Sequence, residues 1–188
     1  MRKALVTMVI AGTVSTFAFA NSGQARATQM APSIPGVAAL DDPTIVAIFD
    51  AANTADIETG ELGAKKGTTQ AIRDFGAMLV RDHKAVRQQG RDLAKKLGVT
   101  PTPPKDDQGA RDHAAAMKEL RALKGSAFDH AFLRHEVAFH KAVIDAVNST
   151  LLPAIKNGEV KDLVVKVAPA FQAHMLAAQN LEDKLASK

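Results

Sequence analysis

Apolar residues in this chain return every three or four positions, and no stretch alternates with a period of two for long enough to form a strand. That pattern confines the fold to packed helices. Composition agrees: 35 of the 188 residues are alanine, against twelve glycines and eight prolines, a balance that favours helix over sheet. With 46% apolar and 23% charged residues, a disordered, collagen-like or multiply membrane-spanning chain is excluded. Cysteine, tryptophan and tyrosine are absent. Disulfides, thiolate metal sites, thiol nucleophiles and tyrosine radicals are therefore excluded as well.

Glycine and proline punctuate the helical pattern. The first helix is expected to begin at Asp42 as N-cap, with Pro43 at its first position, and to run to about Lys66 before Gly67. Thr68 or Thr69 caps a second helix that ends at Leu97, with Gly98 as its stop. Pro101, Pro103 and Pro104 stiffen the loop over residues 99–107. A shorter helix follows from Gln108 to Leu123. Ser126 and Asp129 have the spacing of a capping box for a third long helix, which reaches about Leu152 ahead of Pro153. Asn157-Gly158 makes a turn, and the last helix runs from about Val160 to Ala186 with Pro169 inside it. Four long helices and one short one read as an all-α bundle over residues 43–188.

The N-terminus reads as a secretory signal over residues 1–20. Arg2 and Lys3 precede an uncharged run from Ala4, and Ala18-Phe19-Ala20 supplies a small-x-small cleavage pattern. A second cleavage candidate follows Ala27. Residues 21–42, with Pro32, Pro35 and Gly36, read as a flexible arm. An exported chain without cysteine suits a bacterial periplasm or envelope, and no stable membrane span is expected once the signal is removed. Losing residues 1–20 takes two of the 24 basic residues and none of the 20 acidic ones, so the net charge falls from +4 to +2. With no cluster of five like charges and no aromatic-basic platform, nucleic-acid binding is not expected.

Three of the six histidines occupy helix faces that should be core. His83 lies at the middle of a stripe formed by Ile72, Leu79, Val86 and Ala94. His140 lies among Leu133, Val143, Ile144 and Val147, and His174 among Val167, Phe171, Ala178 and Leu181. Each is close to the midpoint of its helix, and midpoints share a level in a bundle whichever way the helices run. The three rings are therefore expected within about one turn of one another. Glu136 is four residues before His140 and reaches the same point, while Glu58 flanks the arc of Ile48, Ala52, Ala55 and Leu62 on the first helix. His83, His140 and His174, completed by Glu58 or Glu136, make a sensible site for a first-row divalent metal such as zinc, copper or iron. His113, His130 and His135 are expected to be mostly solvated, and Asp129 is explained by its capping box.

At these residues the chain resembles the bacterial exported domain of unknown function 4142, a family often labelled as outer-membrane proteins. The resemblance is carried by Ala51-Ala52 through Ile57-Glu58-Thr59-Gly60-Glu61-Leu62, by Phe75 to Asp82-His83, by Gly125-Ser126-Ala127-Phe128-Asp129 leading to His140, and by Pro169 before His174. It covers roughly residues 43–180. It implies a four-helix ferritin-like bundle, with the short helix lying in the crossover between the second and third long helices. It also implies Glu58, His83, His140 and His174 as inward polar residues, and no settled activity. A ferritin-like di-iron site carries a Glu-x-x-His pair on two of its helices. Here Val80 stands three residues before His83 and Phe171 three before His174.

Two functions follow as expectations: a periplasmic metal-binding bundle for storage, buffering or stress protection, or a metal-free structural or interaction bundle whose histidines form a buried hydrogen-bond network. No nucleophile elbow, phosphate-cradling glycine loop or cofactor fingerprint points to an enzyme.

Overall fold

The computed structural model describes residues 40–187, so the expected signal over 1–20 and nearly all of the arm over 21–42 lie outside the described residues. The described chain is helical throughout, with elements α1 (Asp42–Lys66), α2 (Gln70–Leu97), α3 (Gln108–Ala122), α4 (Gly125–Ala146), a π-turn (Val147–Leu151), α5 (Leu152–Ala154) and α6 (Gly158–Ala186). None of these helices is long and apolar enough to cross a membrane.

Most boundaries follow the local chemistry of the sequence, and three differ from expectation. The cap of α1 is Asp41, whose carboxylate accepts the Thr44 N–H at 2.9 Å. Asp42 instead accepts the N–H groups of Lys156 and Asn157, each at 2.9 Å, and so ties the start of α1 to the start of α6. Thr69 caps α2, and Gly98 closes it in the left-handed region at φ 66°. The Ser126–Asp129 capping box does not form, because α4 begins two residues too early for Ser126 to be its cap. The buried Asp129 carboxylate finds other donors, the backbone N–H of Thr68 at 3.1 Å and the Thr68 hydroxyl, which pins the α1–α2 turn to α4. The third long helix does not run unbroken to Leu152. Pro153 has no N–H to offer the Ser149 carbonyl, and the π-turn takes up the interruption.

Helix α1 packs along α2 and helix α4 along α6, while α2 also meets α6 and α1 also meets α4. Every one of these neighbours is antiparallel. Gly60 faces Gly76 and Phe49 faces Gly90 across α1 and α2. His130 meets Glu182 and His140 meets His174 across α4 and α6. Helices α2 and α4 therefore point the same way, and the loop after Gly98 together with α3 makes the return. Lys66 holds α3 in place by donating to its last carbonyls, Leu120 at 2.7 Å and Arg121 at 3.0 Å.

The apolar core is divided by level. At one end Ile72, Phe75, Leu79, Phe128, Phe132 and Leu133 pack together. At the other, Ile45, Val46, Leu151, Val160 and Val164 form a second cluster, with Val86, Val167 and Phe171 forming a third. Between them lies a layer of buried polar side chains. What brings α1 close enough to contribute to that layer is glycine. A Cβ on Gly76 would stand 2.4 Å from the Ala64 nitrogen and 2.6 Å from the Gly60 carbonyl oxygen, backbone atoms that cannot swing away.

Gly76→Ala should therefore destabilise the fold by about 2–3 kcal/mol, as overpacking against fixed atoms does. Gly98→Ala meets no atom within 4 Å and should cost only about 1–2 kcal/mol for its left-handed backbone. Urea denaturation of the two variants checks the order, and a Gly76→Ala protein as stable as the parent would contradict the close approach.

Candidate metal centre

Each helix delivers its polar group by ordinary helical spacing. On α2, Leu79, His83 and Val86 follow one another down the buried face. On α4, Glu136 and His140 are one turn apart, below Phe132 and Leu133. On α6, Phe171, His174 and Ala178 share a stripe. The inner face of α1 is different. From Asn53 onward its buried stripe is Asn53, Asp56, Thr59, Gly60 and Gly63, none a large apolar residue, whereas Ile45 and Val46 keep the start of the helix apolar.

The three imidazoles meet. Ring centroids are 5.6 Å apart for His83 and His140, 5.0 Å for His83 and His174, and 5.5 Å for His140 and His174. One ring nitrogen from each lies within 4.8 Å of the others. Asp56, Glu136 and His140 form a second such group, so His140 is common to both. Asp56 and Glu136 are wholly buried, and none of the three histidines is more than 5% exposed.

Outer partners determine which nitrogen each ring presents. Asn53 donates its amide to the Phe49 carbonyl at 2.8 Å, which leaves its Oδ1 to accept from His83 Nδ1 at 3.0 Å. His140 Nδ1 donates to the Glu136 carbonyl at 2.9 Å. His174 Nε2 donates to the Asp82 carboxylate at 3.1 Å, and Asp82 is one-third exposed beside Arg81. With those protons assigned, the bare nitrogens are His83 Nε2, His140 Nε2 and His174 Nδ1. Two of them face each other: His83 Nε2 and His174 Nδ1 are 3.1 Å apart. Two lone pairs at that distance call for a cation between them, a proton or a metal. Nitrogens bound to one tetrahedral ion with bonds of about 2.0–2.1 Å would be about 3.3 Å apart.

The carboxylates are the more unusual members. Both oxygens of Asp56 and of Glu136, together with His140 Nε2, are buried without a hydrogen-bond partner. Asp56 Oδ2 lies 3.4 Å from His83 Nδ1 and its Oδ1 lies 3.7 Å from His140 Nε2, contacts too long for strong hydrogen bonds. Burial drives the pKa of both acids upward, that of Asp56 well above the usual range with the nearby Glu136 adding to the shift. Glu136 is pushed to about 8, the Thr59 hydroxyl beside it opposing the rise. Burial acts oppositely on the imidazoles, lowering His83 to about 2 and His140 to about 4, with neighbouring histidines adding to the effect. His174 is lowered too, by burial, with Asp82 opposing.

Of the residues expected at the site, His83, His140, His174 and Glu136 converge, and Glu58 does not. Glu58 lies on the outer face of α1, 46% exposed at its side chain, and pairs with His113 Nε2 of α3 at 2.9 Å. Its place is taken by Asp56, two residues earlier and therefore about 200° around the helix. Hydrophobic periodicity pointed the wrong way because the inward face of α1 is polar and small. A stripe of Asn53, Asp56, Gly60 and Gly63 at three- and four-residue spacing was the available signal. The remaining histidines are also less exposed than expected. His113 and His130 are held by Glu58 and Glu182, while His135 stacks on Phe139 and is lowered to about 4 by burial.

These shifts give the metal-free protein a stability maximum near neutrality. Glu136 ionises near 4.5 in the unfolded chain but only near 8 in the fold, so the fold holds an extra proton between them and loses stability as pH rises to 8. His140 stays neutral in the fold down to about 4, whereas the unfolded chain protonates near 6.5, so stability also falls as pH drops below 6.5. Between 4.5 and 6.5 the two effects oppose, and the four lowered histidines outweigh the two raised acids. Thermal midpoints of the metal-free protein should peak near pH 6.5, and Glu136→Gln should flatten the alkaline side. A wild-type midpoint that is constant from pH 6.5 to 8 would contradict the buried acid.

Comparison with known proteins is consistent with the helical architecture. The crystal structure of a DUF305 fragment from Deinococcus radiodurans superposes with a TM-score of 0.64 at 15% identity, covering 78% of this chain and 95% of that one. At that identity the likeness concerns the fold alone. No curated protein matches the sequence. The family model described as "Domain of unknown function (DUF4142)" matches residues 24–181. With the match spanning the whole histidine-bearing region, the chain belongs to the DUF4142 family.

Proposed function

We propose that this protein is an exported, ferritin-like four-helix bundle that binds one first-row divalent metal ion among His83, His140, His174, Asp56 and Glu136. The observation that carries the reading is the set of bare ligands. Three imidazoles each have one nitrogen engaged by an outer partner and offer nitrogens within 4.8 Å of one another, beside two buried carboxylates that have no partner. Buried polar groups are ordinarily satisfied, and unpaired ones are costly. An ion would satisfy all of them at once. The donor set of imidazole and carboxylate suits zinc, copper, iron or nickel, and two carboxylates balance the charge of one divalent cation. Antiparallel neighbours joined by a long return through α3 support the ferritin-like topology. The uncharged run before Ala18-Phe19-Ala20 supports export to the periplasm or envelope.

Within this reading the chain's own residues bind and hold. Asn53, Asp82 and the Glu136 carbonyl fix the ring orientations, and Phe171, 5.1 Å from His83 and 5.8 Å from His140 between centroids, keeps water from that side. Nothing in the layer positions a nucleophile or a substrate, which favours storage, buffering or stress protection over turnover. The competing reading is a metal-free network in which a proton sits between His83 and His174. It satisfies that pair and leaves Asp56, Glu136 and His140 Nε2 unpaired.

Protein made without a histidine-rich tag should carry close to one equivalent of metal by elemental analysis. The His83→Ala, His140→Ala, His174→Ala triple variant should lose it, and Glu58→Ala should keep it. Metal at a hundredfold excess over Kd should raise the thermal midpoint by about 5–10 °C, the shift expected from ligand linkage in a domain of this size. No bound metal, with a midpoint unmoved by zinc, copper or iron, would reject the site. Asn53→Ala should weaken affinity by about 10–100-fold, as loss of an outer partner of a ligating histidine does. Affinity unchanged in that variant would reject its orienting role.

A further inference from the structure

The polar layer has a neighbour that metal binding does not explain. Directly beside it, in the angle between α1, the π-turn and α6, is a cavity of about 80 Å³. Its inner end is formed by Asn53 and Phe171, the side chains that touch His83 and His140. Its outer end reaches the π-turn at Asn148, which is exposed. Between the ends every lining side chain is aliphatic or aromatic. The polar atoms of Asn53 are already committed to His83 and Phe49. A water in the body of this space would find too few partners, since an ordered buried water needs two to four.

The cavity follows from the backbone. A π-turn is wider than an α-turn, and here it lies where α4 would otherwise continue to pack against α6. The result is a passage from the surface to the edge of the histidine layer that repels ions and takes uncharged molecules. Its size restricts them further. An apolar cavity of about 150 Å³ holds benzene or a xenon atom, so roughly half that volume suits an apolar molecule of two or three heavy atoms.

We propose that this cavity is a binding site for a small neutral apolar molecule, in the size class of a diatomic gas, held against the flank of the histidine layer. The chemistry of the lining assigns the class, and no polar atom there discriminates among members of it. The inference stands on the cavity alone and does not require an ion in the layer. Ions and uncharged molecules would reach the histidines from different sides, the ions past Asp82, the uncharged molecules past the π-turn.

Xenon is the probe. Methyl-labelled, metal-free protein under xenon pressure should show saturable shifts at Ile45, Val143, Val147 and Val167, accompanied by His83 and His140 ring protons, while Ile72 and Leu79 stay unmoved. Ala168→Leu on α6 and Val147→Phe on the π-turn each fill the cavity, and each should abolish the response while keeping the helical circular dichroism of the parent. If either variant fails to fold, the other and the wild-type pattern decide. Shifts that are unsaturable or spread over the surface would overturn the proposal, as would a wild-type response surviving in a folded, filled variant. Because the protein is metal-free throughout, a negative result here leaves the metal reading untouched, and a negative metal result leaves this one untouched.

Discussion

Five ionisable side chains from four helices are withdrawn from water at one level of this fold, and the rest of the structure is arranged around that desolvation. A lone buried carboxylate would be expected to cost several kcal/mol in its charged form. Here two of them, Asp56 and Glu136, face three imidazoles, and burial pushes the acids up and the bases down so that the layer tends to neutrality. Apolar clusters above and below close the layer off from the ends of the molecule. The Gly60–Gly76 approach brings α1 close enough for Asp56 to reach His83 and His140.

The outer partners make that layer more than a collection of buried charges. Asn53, Asp82 and the Glu136 carbonyl each engage one nitrogen of a different ring; of the remaining nitrogens, His83 Nε2 and His174 Nδ1 face each other and His140 Nε2 is buried without a partner. A network built only to satisfy itself would pair the acids with ring nitrogens at hydrogen-bonding distance. Instead Asp56 and Glu136 lie 3.4 and 3.5 Å from the already engaged His83 Nδ1 and His140 Nδ1, Asp56 lies 3.7 Å from the bare His140 Nε2, and the acid oxygens have no partner. Under the proposed reading, an ion held among these groups would satisfy them together.

Much of this was legible in the sequence, for reasons that differ by helix. On α2, α4 and α6 the buried face is apolar, so periodicity located His83, His140 and His174, and helix midpoints placed them at one level. The same rule failed on α1. There the inward stripe is Asn53, Asp56, Gly60 and Gly63, and the more apolar arc beside it drew attention to Glu58, which pairs with His113 on the outside. Local capping logic was sound for Thr69 and Gly98 but not for Ser126 and Asp129, because a long-range pairing between Asp129 and Thr68 outweighed the local one. The π-turn takes up the missing N–H of Pro153, and the cavity beside it could not be read from spacing alone.

The most direct test of the central claim is X-ray absorption at the metal edge of protein loaded with one equivalent of zinc or copper. The arrangement predicts a first shell of nitrogen and oxygen at about 2.0–2.2 Å with the outer-ring scattering of three imidazoles, and no sulfur. A shell of oxygen alone, or one showing a single imidazole, would mean that the ion sits on surface carboxylates and that the buried layer is a closed network after all.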